Sequence, residues 1–210
     1  MTFIDIFNIV ILVTFTICYS YQIVYIITVF VKKPPHREAK KNHKYAAICS
    51  ARNEEAVIGD LIHSIQNQNY PKDLIDIYII ADNCTDGTAT VAKDAGANVF
   101  VRNNTQKIGK GYALTFCFRK LFKLDRGYEA YFVFDADNVL DADYFKEMNK
   151  VFDNGALAST CYRNSKNFGS NWISSGYGLW FLREAKFINQ ARITFTTGRA
   201  LSGTAYFVSD

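Results

Sequence analysis

The sequence predicts an α/β domain, a mostly parallel sheet with helices on both faces, preceded by one N-terminal transmembrane helix. Three observations carry that reading. Short apolar runs alternate with helix-patterned segments between residues 45 and 135, the order that builds parallel sheets. The runs are nearly continuous in hydrophobicity, as strands buried on both faces are. Ahead of them stand 23 residues, Ile9 to Val31, without a formal charge.

The N-terminal run comes first in the chain. As a helix rising about 1.5 Å per residue it spans roughly 34 Å, enough for a bilayer, so residues 1–31 are expected to be the membrane span. A cleaved leader is one alternative, but the run is too long, no Lys or Arg precedes it, and no small-residue cleavage site follows. A buried helix of a soluble domain is the other. Residues 32–44, "KKPPHREAKKNHK", carry six Lys or Arg against one Glu, net +5. The whole chain is +4, so the remainder is close to neutral. No basic face is left for a phosphate backbone, which excludes nucleic acid as a partner. A basic cluster just past a membrane helix marks the cytoplasmic side. Pro34 and Pro35 stop the helix, and the stretch is expected to be a solvated linker. The expected location is a bacterial cell membrane, with the domain from residue 45 onward in the cytoplasm.

That domain has the composition to fold. An apolar fraction of 49% supports a core, while 21% charged residues and three prolines argue against disorder. Seventeen Phe and thirteen Tyr suggest membrane contact or aromatic-lined clefts. Cys18, Cys49, Cys84, Cys117 and Cys161 are scattered and never form C-x-x-C, which indicates neither a disulfide framework nor a zinc site and points to a reducing compartment.

The elements follow in order. "YAAICSA" (45–51) is the first strand, and "NEEAVIGDLIHSIQNQ" repeats apolar residues at helical spacing through Val57, Ile58, Leu61, Ile62 and Ile65. "DIYIIAD" (76–82) is the second strand, and the turn "NCTDGT" opens the next helix. "ANVFVR" (97–102) is the third, a helix runs from about Gly109 to Leu124, and "YFVFD" is the fourth strand. Beyond about residue 155 the alternation weakens, and "NWISSGYGLWFLREAKFINQA" reads as a helix-bearing insertion.

In such sheets ligands bind outside the carboxyl ends of the strands. Those ends deliver Arg52, Asn53 and Glu54, then Asp82 and Asn83, then Arg102, and finally Asp135 and Asp137. If strand geometry persists through Ala136, both last carboxylates point the same way. Two like charges so close resist full ionisation unless a cation joins them. Hard cations such as Mg²⁺ or Mn²⁺ use one or two carboxylates plus ligand phosphates, so the expected occupant is a divalent ion holding a diphosphate. An EF-hand is ruled out, because Leu140 and Lys146 stand where its Gly and Glu belong. A haloacid-dehalogenase-type phosphatase with Asp135 as nucleophile remains, although that motif normally lies on a first strand. The third reading is the D-x-D motif of a nucleotide-sugar transferase.

The neighbouring motifs favour the third. "CSARNEE", "IIADNCTDGTA", "KIGKGYAL" and "VFDADN", in that order, resemble a family 2 glycosyltransferase, with "SGTAYFVSD" similar to the acceptor-facing segment of cellulose and hyaluronan synthases. The resemblance covers about residues 45–210 and implies the type-A glycosyltransferase fold. It further implies a metal-dependent, inverting transfer of sugar from a nucleotide sugar, UDP-sugar favoured, to a glycan or lipid-linked acceptor in polysaccharide biosynthesis. By that resemblance Ala51, Arg52 and Glu54 contact base and ribose, Asp82 bonds the base, and Lys110 approaches the diphosphate, with Lys107 a weaker candidate. Asp135 contacts ribose or metal, Asp137 ligates the metal, and Gly203 and Thr204 belong to the acceptor segment. Ala81 stands where the family has the first of two acids. The family's general base lies in a later E-D or T-E-D motif that residues 1–210 do not contain, so it is expected beyond Asp210 and the chain is expected to be a fragment. A silent nucleotide-sugar-binding module is the alternative of a different class. No G-x-x-x-x-G-K-[ST] and no G-x-G-x-x-G occurs.

Overall fold

Thr2 opens the first helix: its Oγ1 accepts from the Asp5 amide at 3.3 Å, and the Asp5 carboxylate takes the Thr2 amide at 2.7 Å, a reciprocal cap. This is a computed structural model describing residues 2–32, 37–195, 197, 201 and 203–210. Helix α1 runs Phe3–Tyr19 and α2 Tyr21–Val31. Ser20, between them, bonds its hydroxyl back to the Ile17 carbonyl at 2.8 Å, a local competitor of the helix ladder. Phe3–Val31 thus makes 29 residues long and apolar enough to cross a membrane. The helix begins at Phe3, six residues before Ile9, because the Thr2 cap lets it take in Asp5. Lys33, Pro34, Pro35 and His36 of the expected linker lie outside the described residues.

The chain divides into two compact units, Met1–His36 with Tyr162–Ala200, and Arg37–Cys161 with Leu201–Asp210. The second holds the sheet. Its elements are β1 Tyr45–Ala51, α3 Ile58–Gln66, β2 Ile75–Asp82, α4 Thr88–Asp94, β3 Asn98–Arg102, α5 Lys110–Leu124, β4 Ala130–Phe134, α6 Tyr144–Asp153 and β5 Ala158–Thr160. The first unit adds α7 Trp172–Leu182, a π-helical turn Arg183–Asn189 and α8 Gln190–Thr194, after which the sheet takes β6 Tyr206–Ser209. Strand order is β3-β2-β1-β4-β6-β5. Strands β1 to β4 are parallel, and β6 runs antiparallel to both β4 and β5.

Alternation along β1 shows why its run is continuously apolar. Tyr45, Ala47, Cys49 and Ala51 pack with Phe132, Phe134 and α3 and α6 on one face; Ala46 and Ile48 pack with Tyr78, Ile80 and α5 on the other. Helix α3 buries Ile58, Leu61, Ile62 and Ile65, each worth about 1.5–3 kcal/mol when fully removed from water. Helix α5 covers the opposite face with Ala113, Cys117 and Leu121.

Two expectations need correction. The fourth strand ends at Phe134, and Asp135 to Asn138 form a turn closed by the Asn138 amide on the Asp135 carbonyl at 3.1 Å. Strand geometry therefore does not persist through Ala136. Nor is the basic segment solvated throughout. His43 is buried, with Nδ1 2.8 Å from Glu129 Oε2 and Nε2 2.7 Å from Asp153 Oδ1. Carboxylates only accept, so the ring satisfies both at once only with both nitrogens protonated. Around it, the Tyr45 and Tyr70 hydroxyls donate to Asn149 Oδ1 at 2.6 and 2.9 Å. A stretch of high charge is thus docked at residues 40–44, because its partners lie on β4's approach and on α6.

Candidate functional site

The order of the parallel strands changes direction once along the chain. Chain order runs from β1 outward to β2 and β3, and then crosses to β4 on the other side of β1. The switch point therefore lies between the ends of β1 and β4, where ligands bind in open α/β sheets. Ala51 ends β1 and Asp135 follows β4.

On the β1 side the loops after β1 and β2 clasp each other. Asn53 and Asn83 both take positive φ, 57° and 54°, a left-handed conformation that Asn tolerates better than most residues. Asn53 Oδ1 accepts from the Thr85 amide at 2.8 Å, and the Glu54 amide donates to Thr88 Oγ1 at 2.8 Å. The Glu54 carbonyl takes the Ile58 amide at 3.0 Å, which fixes the start of α3. Glu55 Oε2 accepts from the Gly87 amide at 2.5 Å, and a Cβ on Gly87 would meet that same oxygen at 2.8 Å. The Thr88 hydroxyl holds Asp86 below the usual carboxylate range. Ala51 is buried and its carbonyl takes the Cys84 thiol at 3.4 Å. Arg52 is exposed and Glu54 half-buried at the rim.

Asp82 is held differently from its neighbours. Its side chain is paired with Arg102, its register partner on β3, and Asn83 Nδ2 adds a bond at 3.1 Å. Asp82 is 3% exposed and Arg102 7%. Arg102 also donates to the Lys107 carbonyl at 2.6 Å, while Asn104 Oδ1 takes the Lys107 amide at 2.8 Å. The loop that leads into α5 is thereby tied to β3. Gly109 enters the helix at φ +126°, a conformation essentially reserved for glycine.

On the β4 side, Lys110 Nζ lies 2.6 Å from Asp135 Oδ1 and 2.6 Å from the Gly203 carbonyl. Thr204 Oγ1 accepts from the Asp135 amide at 2.9 Å and donates to Asn138 Oδ1 at 2.6 Å. Asn138 Nδ2 lies 3.2 Å from Asp137 Oδ1. Lys110, Asp135, Asp137, Gly203 and Thr204 are thus drawn into one cluster. Ser202, of the same acceptor-like segment, lies outside the described residues. Beneath the cluster, burial and then the Asp135 charge push the Cys49 thiol up, which keeps it protonated and inert.

The β1 loops, the Asp82–Arg102 pair and the Lys110–Asp135 cluster share one edge of the sheet without a hydrogen bond joining the pair to the cluster among the described residues. Strands β2 and β4 flank β1, so the two acidic stations stand about 10 Å apart, two inter-strand spacings. Sequence reasoning did not single out Asn138 or the pairing role of Arg102. A turn-forming Asn directly after the acids was the available signal for the first. For the second the clue was a lone cation ending a strand.

As a cation site the cluster supplies hard oxygen donors, the carboxylates of Asp135 and Asp137, with Asp137 exposed. Among the described residues no three or more His, Cys, Asp or Glu are arranged to hold a metal ion by themselves. That set suits a hard divalent ion completed by phosphate oxygens and water, and does not suit zinc.

The family profile described as "Glycosyl transferase family 2" matches residues 47–208. A 4,4'-diaponeurosporenoate glycosyltransferase of Staphylococcus aureus is 48% identical over 59 residues, 28% of this chain and 15% of the relative. The chain therefore aligns with less than a fifth of the length of the curated relatives it matches. A mannosyltransferase from Pyrobaculum calidifontis, solved with GDP-Man and Mn²⁺, superposes with a TM-score of 0.59 at 19% identity, covering 76% of this chain and 48% of that one. Glucosyl-3-phosphoglycerate synthase from Mycobacterium tuberculosis, solved with UDP, gives 0.51 at 19% identity over 85% and 63%. Mannosyl-3-phosphoglycerate synthase from Rubrobacter xylanophilus gives 0.51 at 22% over 80% and 54%.

Proposed function

The chain belongs to glycosyl transferase family 2, and from that premise we propose that it binds a nucleotide-sugar donor, UDP-sugar favoured, for transfer to a glycan or lipid-linked acceptor. The family assignment removes the phosphatase reading of Asp135. One observation carries the proposal: the cluster at the switch point joins a lysine at a helix start, two acids and the Gly203–Thr204 segment.

Each residue has a task its position suits. Arg52 and Glu54, on the clasped loops, line the nucleoside, with the Ala51 backbone beneath it. Asp82, kept in place by Arg102, presents its carboxylate toward the base. Lys110 stands at the first turn of α5, which no side chain caps, so amides and ammonium together face an anion. Breaking the bond from sugar C1 to the diphosphate builds negative charge on the leaving oxygens, and Lys110 stabilises it electrostatically. Asp135 and Asp137 would hold Mg²⁺ or Mn²⁺, which supplies further charge neutralisation at the diphosphate when bound. Gly203 and Thr204 place the acceptor segment against the same cluster, so donor and acceptor are held in one geometry. The apolar helix Phe3–Val31 anchors the enzyme in a membrane, and the basic residues after it hold the catalytic unit in the cytoplasm.

Calorimetric titration of the chain in detergent with UDP-sugar and Mn²⁺ tests the proposal. Binding is expected with the parent and is lost in Asp137→Ala, whose folding is unchanged because Asp137 is exposed. Equal affinity of the two proteins refutes the assignment of Asp137, and absence of binding by the parent refutes the donor site.

A further inference from the structure

Helix α7 is inside out for a surface helix. Its buried residues are Ser174 and Gly178, while Trp172, Ile173, Tyr177, Leu179 and Trp180 are exposed. Trp172 is 83% exposed and Trp180 59%. A helix lying on a water-soluble domain turns such residues inward and its small or polar ones outward. The orientation is fixed by packing, because a Cβ on Gly178 would come within 2.4 Å of the Phe168 ring. The Asn171 side chain caps the helix by accepting the Ser174 amide at 2.9 Å. The helix holds no charged residue; Arg183, Glu184 and Lys186 follow within four positions of its end.

The same compact unit contains the apolar helix, and contacts inside that unit tie the two together. Arg183 Nη2 donates to Gln22 Oε1 at 2.8 Å, and its guanidinium lies 5.5 Å from the Trp180 ring centre. Phe187 packs on Phe30 with centroids 6.2 Å apart, and Phe195 on Tyr25 at 5.9 Å. The stretch leaving α7 therefore runs against residues 22–30 of the apolar helix, the end from which the basic segment departs. Tryptophan and tyrosine with basic residues beside them are the composition favoured at the boundary between headgroups and acyl chains.

We infer that α7 is a second membrane contact, lying in the bilayer interface with Trp172, Ile173, Tyr177 and Trp180 seated among the lipids. The inference rests on the reading of Phe3–Val31 as a membrane span. It goes beyond anchoring, since it fixes the insertion between β5 and β6 to the lipid surface by its own side chains.

Trp172 and Trp180 are the only two tryptophans in the sequence, so fluorescence excited selectively in tryptophan, at wavelengths tyrosine does not absorb, reports on α7 alone. The full chain is reconstituted into nanodiscs of phosphatidylcholine and phosphatidylglycerol, with or without lipid brominated near the headgroup end of its chains. Co-elution on size exclusion scores incorporation. The expected result is blue-shifted emission, roughly twofold or greater quenching by bromine at the ~5–10 Å depth of interfacial helices, and little quenching by iodide. Trp172→Phe and Trp180→Phe each retain part of the lipid-quenched signal. Incorporated protein with water-like emission, iodide quenching and no effect of bromine overturns the inference. Blue emission without bromine quenching overturns it too, because a protein surface then covers the helix. Failure of the chain to incorporate overturns the span of Phe3–Val31, and this inference with it.

Discussion

Replacing Arg102 with methionine tests how the base side of the site is held. The guanidinium is buried against Asp82 at the paired ends of β2 and β3. Methionine keeps the length and apolar stem but leaves the Asp82 carboxylate, among the described residues, with the Asn83 side-chain Nδ2 as its remaining bond, at 3.1 Å. Removing one partner of a buried ion pair costs about 3–5 kcal/mol. The lost bond to the Lys107 carbonyl adds about 1 kcal/mol. Because β3 is an edge strand, water reaches the vacated space and the lower end, about 3 kcal/mol, is expected. Urea denaturation of the chain in detergent, followed by far-ultraviolet circular dichroism, measures it as a lower midpoint at unchanged slope. Adding Asp82→Asn removes the orphaned charge and should recover about 1–2 kcal/mol, a coupling that distant sites do not show. An Arg102→Met midpoint equal to the parent's, or strictly additive losses in the double variant, refutes the reasoning.

Further outcomes follow from the same contacts. Lys110→Gln breaks a half-exposed pair with Asp135, so stability should change by no more than about 1 kcal/mol, while calorimetry should show at least about tenfold weaker UDP-sugar binding; unchanged affinity sinks the role of Lys110. Gly109→Ala meets no atoms within 4 Å but carries the backbone strain of φ +126°, so the expected loss is about 1–3 kcal/mol in the same denaturation assay. Asp153 is held below its usual range by the Lys40 amide and then His43; Glu129 is also lowered, because hydrogen bonds from His43 and Lys41 outweigh the opposing effect of burial. Depressed carboxyls bind protons more tightly in the unfolded chain, so their stabilisation is full above the ordinary carboxylate range, about pH 4, and is lost as pH falls through and below it. His43→Gln should flatten that acid limb of midpoint against pH, and an unchanged limb counts against the bridge. In intact spheroplasts, protease should leave the region around Arg102 uncut, and digestion from outside would reverse the topology.

The sequence by itself determined the elements whose cause is local. Unbroken apolar runs marked β1 to β4 within a residue or so, helical spacing at Ile58, Leu61, Ile62 and Ile65 marked α3, and the uncharged stretch marked the membrane-length helix. Strand ends put Arg52, Asp82, Arg102 and Asp135 on one edge of the sheet, because parallel strands send every carboxyl end the same way. What those side chains do to each other was decided only in three dimensions. Lys110 meets Asp135 and Gly203, 25 and 93 residues away in sequence. Thr204 meets Asn138 across 66, and His43 leaves its charged segment for acids 86 and 110 residues on. Strands β5 and β6, three and four residues long, carry no period of their own and exist because they pair with each other and with β4. Periodicity records which face a residue turns to the core. The partner it finds there depends on how distant segments close on one another, and no local pattern encodes that.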